Sequence, residues 1–415
     1  MPWADGAETA GNVVVAFIAG GGVLGSVVWA WHLFHLARHR AKIVFLAGLD
    51  GPLPSTTPVA VVFAARDEAG GVEVAVRSML AEGEHDPALR VVAVDDRSVD
   101  GTGAILDRVA ADHPQLAVIH VADLPPGWLG KTHALQAGAA SPAAADAGWL
   151  LLTDADVVFA PGSIRRAMSY AEAEGIDLLS VAPEVEMYTV GERAFLSLFG
   201  LLFSLYASVG RLADRDSRAH VGIGAFNLVR VEAFNAVGGF RHLALSVDDD
   251  MRLGQTLKFA GYATRLIFGR GAISVRWHDG TWAMVRGVEK NFFAGLKFRV
   301  GRVGIVALGL VVLGIGPFVG LFVGPAWTRG VAAMGVAAIA ITLGASGRQS
   351  RIRWYYAGLF PIATLLVITA LIRSTVVTLR LGGIEWRRHF YPLRLLKAHV
   401  RERDAWLGEV WWSCR

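Results

Sequence analysis

Short apolar runs alternate with amphipathic segments after residue 58. Val59–Ala65 is apolar and β-branched, and Val72–Leu80 carries apolar positions at helical spacing. The same pattern predicts further elements at Arg90–Val94 (strand), Ala104–Ala111 (helix), Leu116–Val121 (strand) and Trp149–Thr153 (strand). Strands that alternate with helices and end in acidic or Gly-rich loops predict an α/β fold with a parallel, doubly wound sheet.

A long apolar run precedes this region. Val13–Leu36 contains 24 residues without a formal charge, and as a helix it would be roughly 36 Å long, enough to cross a bilayer. A cleavable signal peptide is the alternative, but the residues before the run include Asp5 and Glu8 and no basic residue. The run is therefore predicted to be a signal anchor.

Basic residues after this run predict its orientation in the membrane. Arg38, Arg40 and Lys42 follow immediately, so the positive-inside rule places the N-terminus outside and the following region in the cytosol. The expected location is the inner (cytoplasmic) membrane.

Three charge-free runs follow Arg302. They are Val303–Pro325, Val331–Ala345 and Trp354–Ile372, with 23, 15 and 19 residues. The middle run is short for a span, and three crossings would place the basic residues after 372 outside. Two to three C-terminal spans are therefore predicted, with a preference for one segment that does not cross. A further 16-residue run, Ala194–Val209, is interpreted as an interfacial or acceptor-facing helix, with a plain core helix as the alternative.

Composition agrees with a membrane protein. Apolar residues make up 53% of the chain, and the net charge is +4. The basic residues cluster near the apolar runs, which favours an anionic lipid surface as a partner and gives no support to nucleic acid. The single cysteine, Cys414, excludes an intrachain disulfide.

Two carboxylates end the strand predicted at Trp149–Thr153. Asp154 and Asp156 follow it, at the edge where open α/β sheets bind ligands. Carboxylate oxygens are hard ligands, and two of them close together suit Mg²⁺ or Mn²⁺. A nucleotide diphosphate could supply the remaining ligands of the cation. The alternative is that Asp154 only caps a turn.

Other strand ends and loops carry candidate nucleotide contacts. A carboxylate such as Asp95 or Asp96 could accept the imide N–H of uracil, whereas Asp100 fits a structural turn better. Lys131 follows a Gly-rich segment at a predicted helix start, where an anionic diphosphate would be favoured. The spacing is not that of a P-loop.

Three adjacent carboxylates, Asp248, Asp249 and Asp250, precede a predicted helix. Carboxylates at a helix N-terminus are favourable, but three together are costly unless they are solvated, metal-bound or partly protonated. One of them could act as a general base on an acceptor hydroxyl.

Together these motifs resemble membrane-anchored family 2 glycosyltransferases with the GT-A fold, a Rossmann-like mixed sheet. The resemblance is closest to the hopene-associated glycosyltransferases, with ceramide and carotenoid glycosyltransferases as relatives. It covers about Val59 to Lys290, and the motifs are ARDE (65–68), VDDRSVDGT (94–102), GWLGK (127–131), TDADV (153–157) and DDMRL (249–253). The tail sequence WRRHFY (386–391) resembles a signature that follows the last helices of these relatives.

The resemblance implies a role for each motif. Asp250 would be the catalytic base, with Asp249 beside it. Asp154 and Asp156 would bind the metal. The implied donor-binding residues are Arg66, Asp67, Glu68, Asp95, Asp96, Lys131 and Asp154.

Some positions depart from the family pattern. Ala64 stands where proline is usual, and Asp67 replaces a common Asn. The Gln-x-x-Arg-Trp motif of processive synthases is absent from the sequence, which favours transfer of a single sugar.

The predicted regions are an anchor and linker (1–54), a glycosyltransferase domain (55–300), a transmembrane region (301–375) and a basic amphipathic tail (376–415). The predicted function is metal-dependent, inverting transfer of a single sugar from a nucleotide sugar, with a UDP-sugar as the expected donor, to a membrane lipid hydroxyl such as that of a hopanoid. Two alternatives stay open: a polyprenyl-phosphate glycosyltransferase, and a non-catalytic membrane scaffold with a degenerate sugar-nucleotide domain.

Overall fold

A computed structural model describes residues 2–39, 43–49, 56–83 and 86–414. Arg40, Lys42 and most of the predicted linker lie outside the described residues. The chain divides into two compact units. The sheet unit comprises Ile43–Glu186, Ala207–Trp277 and Thr378–Arg415, and the apolar unit comprises Met1–Lys42, Met187–Tyr206 and His278–Val377. Contacts in space therefore do not follow the predicted linear regions.

The strands all belong to the sheet unit. They are β1 (Val59–Ala65), β2 (Leu89–Asp96), β3 (Leu116–Val121), β4 (Trp149–Asp154), β5 (Val157–Phe159), β6 (Leu178–Ala182), β7 (Glu184–Val185), β8 (Asn227–Arg230), β9 (Thr264–Phe268), β10 (Ile273–Val275), β11 (Gly383–Trp386) and β12 (His389–Pro392).

The helices are distributed over both units. They are α1 (Pro2–Arg38), α2 (Val72–Gly83), α3 (Thr102–Asp112), α4 (Gly130–Ala139), α5 (Ser163–Ala173), α6 (Val190–Ala207), α7 (Val231–Ala236), α8 (Asp249–Phe259), α9 (Thr281–Gly287), α10 (Glu289–Gly295), α11 (Val300–Leu310), α12 (Gly316–Gly320), α13 (Ala326–Ser350), α14 (Phe360–Leu381) and α15 (Leu393–Ser413).

A seven-stranded sheet with the order β3-β2-β1-β4-β8-β6-β9 forms the centre of the sheet unit. Strands β3, β2, β1 and β4 run parallel to one another, as do β6 and β9. Strand β8 is antiparallel to both of its neighbours. The predicted α/β fold with a mixed sheet is therefore confirmed, and β8 is the strand that interrupts the parallel order expected from the strand–helix alternation. Strand β8 has only four residues, and no strand–helix alternation marks it in the sequence.

Alternation along the strands builds two hydrophobic cores, one on each face of the sheet. Val61 and Phe63 of β1 pack on the face that holds α2, α3 and α5. Ala60 and Val62 pack on the other face, with α4, α7 and α8. Because both faces are covered, β1 and β2 are nearly continuous apolar runs. Odd-numbered and even-numbered residues of these strands therefore pack in different hydrophobic cores.

The apolar unit contains helices of membrane-spanning length. Five helices are long and apolar enough to cross a bilayer among the described residues: Asn12–Arg38, Val190–Ala207, Val300–Gly320, Ala326–Gly347 and Trp354–Leu381. One N-terminal and three C-terminal candidates match the predicted arrangement. The middle C-terminal helix, α13, has 25 residues, because it continues past the charged residues that bound its apolar run. Its sequence looked too short for a span only because those charges were taken as the ends of the helix.

Within the apolar unit, α1 packs on α12, α13 and a π-helical turn, Val311–Ile315. The indole N–H of Trp29 donates a 2.7 Å hydrogen bond to the carbonyl of Leu313 in that turn. Gly25 lies so close to the turn that a Cβ added there would be 2.2 Å from the carbonyl oxygen of Val312. The backbones of α1 and of the π-helical turn are therefore in close contact.

Candidate active site

Two strand ends bring carboxylates to the same face of the sheet. Leu152 and Val94 belong to the core on the α4 face, and a residue two positions further along a strand keeps that face. Asp154 is the last residue of β4 and Asp96 is the last residue of β2. Both carboxylates therefore lie on the α4 face of the sheet, just past the end of the apolar core. This is the carboxyl edge of the parallel strands, where α/β sheets bind ligands.

Lys131, in the first turn of α4, contacts the acidic residues at this edge. Its Nζ donates a 2.6 Å hydrogen bond to Asp154 Oδ1 and lies 3.8 Å from Asp249 Oδ2. Burial alone would lower the pKa of the Lys131 ammonium, but the charges of Asp154, Asp249 and Asp250 outweigh it and raise that pKa. The ammonium is therefore always charged, and it compensates carboxylates from two different elements.

Asp250 is held at the start of α8 by backbone donors. The N–H of Gly224 donates to its Oδ2 at 2.8 Å, and the N–H of Met251 donates to its Oδ1 at 2.7 Å. Burial raises the pKa of the Asp250 carboxyl, with Lys131 and the backbone donors opposing this effect. A carboxylate with a raised pKa in a fixed orientation has the properties of a general base.

Gly224 lies between Asp250 and Asp154. A Cβ added to it would be 2.8 Å from Asp154 Oδ2 and 3.3 Å from Asp250 Oδ2. Two carboxylates that are 96 positions apart in the sequence therefore meet at one point. A recess at this point is lined by Gly224, Asp250, Lys131, Asp249 and Asn227. Asp154 is not part of its lining but contacts Lys131 of the lining.

Asp156 and Glu68 add negative charge nearby. Burial, together with the charges of Asp154 and Glu68, raises the pKa of Asp156 to about 7. Burial also raises the pKa of Glu68, although Arg387 opposes it. Burial is the largest cause of both shifts, and the charge of Asp154 adds to each.

This donor set suits a divalent cation. Asp154 and Asp156 provide oxygen ligands of the kind that Mg²⁺ and Mn²⁺ prefer, and a cation would relieve their repulsion. Among the described residues, no group of three or more His, Cys, Asp or Glu side chains is arranged to hold a metal ion. A metal at these two aspartates would therefore take its remaining ligands from water or from a bound phosphate.

Asp96 is paired with arginines. Its Oδ1 accepts a 2.8 Å hydrogen bond from Arg97 Nε, and its Oδ2 accepts a 3.1 Å bond from Arg97 Nη2. Arg66 Nη1 lies 3.5 Å from the same Oδ2. Arg97 adopts a left-handed backbone conformation with φ of 60°, which turns its side chain back to its neighbour. Arg97 follows Asp96 directly in the sequence, but nothing in the local pattern indicates that it pairs with this carboxylate.

Asp95 points to the opposite face from Asp96. It accepts a 3.2 Å hydrogen bond from the backbone N–H of Ser98, and its Oδ2 lies 3.0 Å from His120 Nδ1. A Cβ at Gly103, in α3, would be 2.6 Å from the same oxygen. The donor-binding role of Asp95 stays a prediction, and the structure does not bring this residue together with Lys131 and Asp154.

The loop after β1 is tied to the loop after β2. The N–H of Asp67 donates to Ser98 Oγ at 3.1 Å, and the N–H of Glu68 donates to Thr102 Oγ1 at 2.8 Å. Asp100 accepts hydrogen bonds from Thr102, so it has the turn role predicted for it. These bonds join the segment that holds Arg66, Asp67 and Glu68 to the loop after β2. We refer to this segment and the start of α4 as the rim of the recess.

A hairpin from the tail reaches the same rim. Strands β11 and β12 are joined by Arg387 and Arg388, both with positive φ. The hydroxyl of Tyr391, in β12, accepts a 3.2 Å hydrogen bond from the N–H of Gly130 at the start of α4. These residues belong to the tail sequence that resembles a family signature. Nothing in their local pattern indicates that they contact residues more than 250 positions away in the chain.

One solved structure shares this fold. The mannosyltransferase PcManGT from Pyrobaculum calidifontis, in complex with GDP-mannose and Mn²⁺, aligns with a TM-score of 0.54 and 17% identity, covering 87% of this chain and 98% of that chain. The sheet and the acidic site at its carboxyl edge thus define a GT-A-like α/β fold.

The family is shown by sequence. The family model described as glycosyltransferase like family 2 matches residues 56–284, more than half of the chain. The chain therefore belongs to the family 2 glycosyltransferases. It is 29% identical over 227 residues to the succinoglycan biosynthesis protein ExoA of Rhizobium meliloti (strain 1021), covering 51% of this chain and 62% of that protein. The chain thus matches less than two thirds of the length of this relative.

Proposed function

We propose that this protein transfers one sugar from a nucleotide sugar, a UDP-sugar, to the hydroxyl of a membrane lipid such as a hopanoid. The reaction inverts the anomeric centre. The observation that carries the proposal is the convergence of Asp154, Asp250 and Lys131 on one recess at the carboxyl edge of the sheet. The family supports glycosyl transfer, and the apolar helices support an acceptor that lies in the membrane.

Each residue of the recess has a separate task in this proposal. Asp250 accepts the proton of the acceptor hydroxyl. The oxygen of this hydroxyl attacks the anomeric carbon as the bond between that carbon and the diphosphate breaks. Lys131 places a positive charge beside the departing diphosphate. Asp154 and Asp156 would hold Mg²⁺ or Mn²⁺, which supplies Lewis-acid stabilisation of the leaving group.

Location is the second part of the proposal. The apolar helices hold the enzyme in the inner membrane, with the sheet unit in the cytosol, where nucleotide sugars would reach the recess. Anchoring the enzyme and the lipid acceptor in one bilayer raises their effective concentration.

The test is product formation by the purified full chain. The protein in lipid nanodiscs is incubated with a panel of UDP- and GDP-sugars, Mg²⁺ or Mn²⁺, and total bacterial lipid, followed by mass spectrometry. A new glycolipid that needs one donor and disappears in Asp250→Asn is the expected result. An Asp250→Asn variant that still binds UDP but retains full turnover would contradict the base and would favour a phosphate acceptor.

A further inference from the structure

The turn of the β11–β12 hairpin contacts the loop that follows β1. The Arg387 guanidinium forms an ion pair with the Glu68 carboxylate and donates a 3.2 Å hydrogen bond to the carbonyl of Asp67. Arg388 Nη2 lies 3.6 Å from Asp67 Oδ2. The two arginines of the turn therefore face the two acidic residues at the rim of the recess.

Strand β12 of the same hairpin contacts the start of α4. Tyr391, in β12, is buried and accepts the hydrogen bond from Gly130, the residue before Lys131. The hairpin thus connects the Asp67–Glu68 loop with the N-terminus of α4. That helix start is where the helix dipole favours a phosphate group.

Glu68 links Arg387 to the proposed metal site. The charges of Asp154 and Glu68 act on each other and on Asp156, so Glu68 lies within electrostatic reach of both aspartates. The side chain of Arg387 is still 40% exposed in this pair. A guanidinium has five N–H donors, so Arg387 keeps donors that an incoming anion could use.

We propose that Arg387 is a ligand for the diphosphate of the donor, and that Glu68 holds its guanidinium beside the recess before the donor binds. This inference rests on the proposed function, because it requires a nucleoside diphosphate in the recess. Arginine is suited to this task since its planar fork can bind two phosphate oxygens at once. The C-terminal hairpin is then one wall of the donor site.

The test compares three variants of the full chain by calorimetric titration with UDP and with uridine in the presence of Mg²⁺. Arg387→Ala removes the guanidinium, and Arg387→Lys keeps the charge without the fork. Arg394→Ala is the matched control, because Arg394 is an exposed arginine of the same tail. Both Arg and Ala carry a Cβ, so the left-handed turn is equally strained in the wild type and in Arg387→Ala.

The expected result is a loss of UDP affinity of about 10- to 100-fold in Arg387→Ala and a smaller loss in Arg387→Lys. Uridine binding should be unchanged in every variant, and Arg394→Ala should match the wild type. UDP affinity unchanged in Arg387→Ala would overturn the inference and leave the proposed function intact. An equal loss for uridine and UDP would overturn it in favour of a purely structural hairpin. A wild-type protein that does not bind UDP would overturn the proposed function itself.

Discussion

Arg403 of helix α15 lies 3.9 Å from the carboxylate of Asp248, the residue that precedes Asp249 and Asp250. The Arg403 side chain is 2% exposed, and its Nη1 donates a 3.2 Å hydrogen bond to Ser246 Oγ. Burial alone would raise the pKa of Asp248, but Arg252 and Arg403 lower it. The tail helix therefore stabilises the segment that carries the proposed base.

Arg403→Met should reduce turnover by about tenfold or more and destabilise the protein by roughly 2 kcal/mol, because it leaves Asp248 with only Arg252 as a partner. Melting temperature and kcat of the detergent-solubilised chain check this. Arg401→Met, on an exposed position of the same helix, serves as the control. A normal kcat in Arg403→Met would show that α15 does not position Asp250.

Gly224→Ala should abolish most activity while the protein stays folded. The new Cβ would be 2.8 Å from Asp154 Oδ2, closer than a methyl group can approach a carboxylate oxygen, so the two carboxylates must separate. We expect a fall in kcat of at least about 100-fold, from loss of the aligned geometry. Gly48→Ala is the control, since nothing lies within 4 Å of its Cβ position. Equal activities of the two variants would argue against a shared recess.

Chelation of divalent metal should remove activity, and added Mg²⁺ or Mn²⁺ should restore it. In Asp156→Asn, the metal concentration for half-maximal activity should rise by about tenfold or more, since one of two anionic ligands is gone. Asp123→Asn, at an exposed position, should leave the metal requirement unchanged. Full activity in EDTA would exclude the proposed role of Asp154 and Asp156.

Stability should fall as the pH is lowered from about 6.5 towards 4 because of His399. Burial, and then the charge of Arg403, lowers the pKa of His399 from 6.5 to about 4; Asp248, Asp404 and His242 also face it. Between these values the unfolded chain binds more protons than the folded chain, so the stabilisation is complete above pH 6.5 and is lost towards pH 4. The loss attributable to this group is about 3 kcal/mol.

His399→Gln should remove much of this acid sensitivity, as judged by melting temperature at pH 7 and pH 4.5. The comparison variant is His113→Gln, which changes a partly exposed histidine of the same unit. If His399→Gln and His113→Gln lost the same number of degrees on acidification, His399 would not be the responsible group.

Gly25→Ala should destabilise the apolar unit by about 1–3 kcal/mol, because α1 must move away from the Val312 carbonyl. Gly20→Ala is an internal control on the same helix, since nothing lies within 4 Å of its Cβ position. Unfolding in mixed detergent micelles, monitored by Trp fluorescence, gives the two stabilities. A Gly25→Ala variant as stable as Gly20→Ala would mean that α1 is not packed against the π-helical turn.

Local patterns were sufficient for the elements that dominate the sheet. Strands β1 and β3 have the bounds that their apolar runs predict, and β4 extends the predicted strand by one residue, Asp154. Strands β1 and β4 are buried on both faces, so their sequences are nearly continuous apolar runs, whereas β3 is a partly exposed edge strand. Strand β8 has no such signal, because it is short and its pairing depends on neighbours distant in sequence.

The candidate site likewise contains residues that the sequence could predict and residues that it could not. Asp154, Asp250 and Lys131 could be found because each belongs to a recognisable motif at a strand or helix end. Gly224 and Arg403 could not, since their importance lies in what a Cβ or a guanidinium meets across the fold. Contacts of this kind are fixed by tertiary packing and leave no periodic pattern along the chain.

The hairpin β11–β12 and helix α15 follow α14 in the order of translation, yet they complete the unit that begins near residue 43. A ribosome must therefore finish all of the C-terminal apolar helices before Arg387, Tyr391 and Arg403 can reach their partners. Until then, the nascent chain lacks the contacts that these three residues make with Glu68, Gly130 and Ser246.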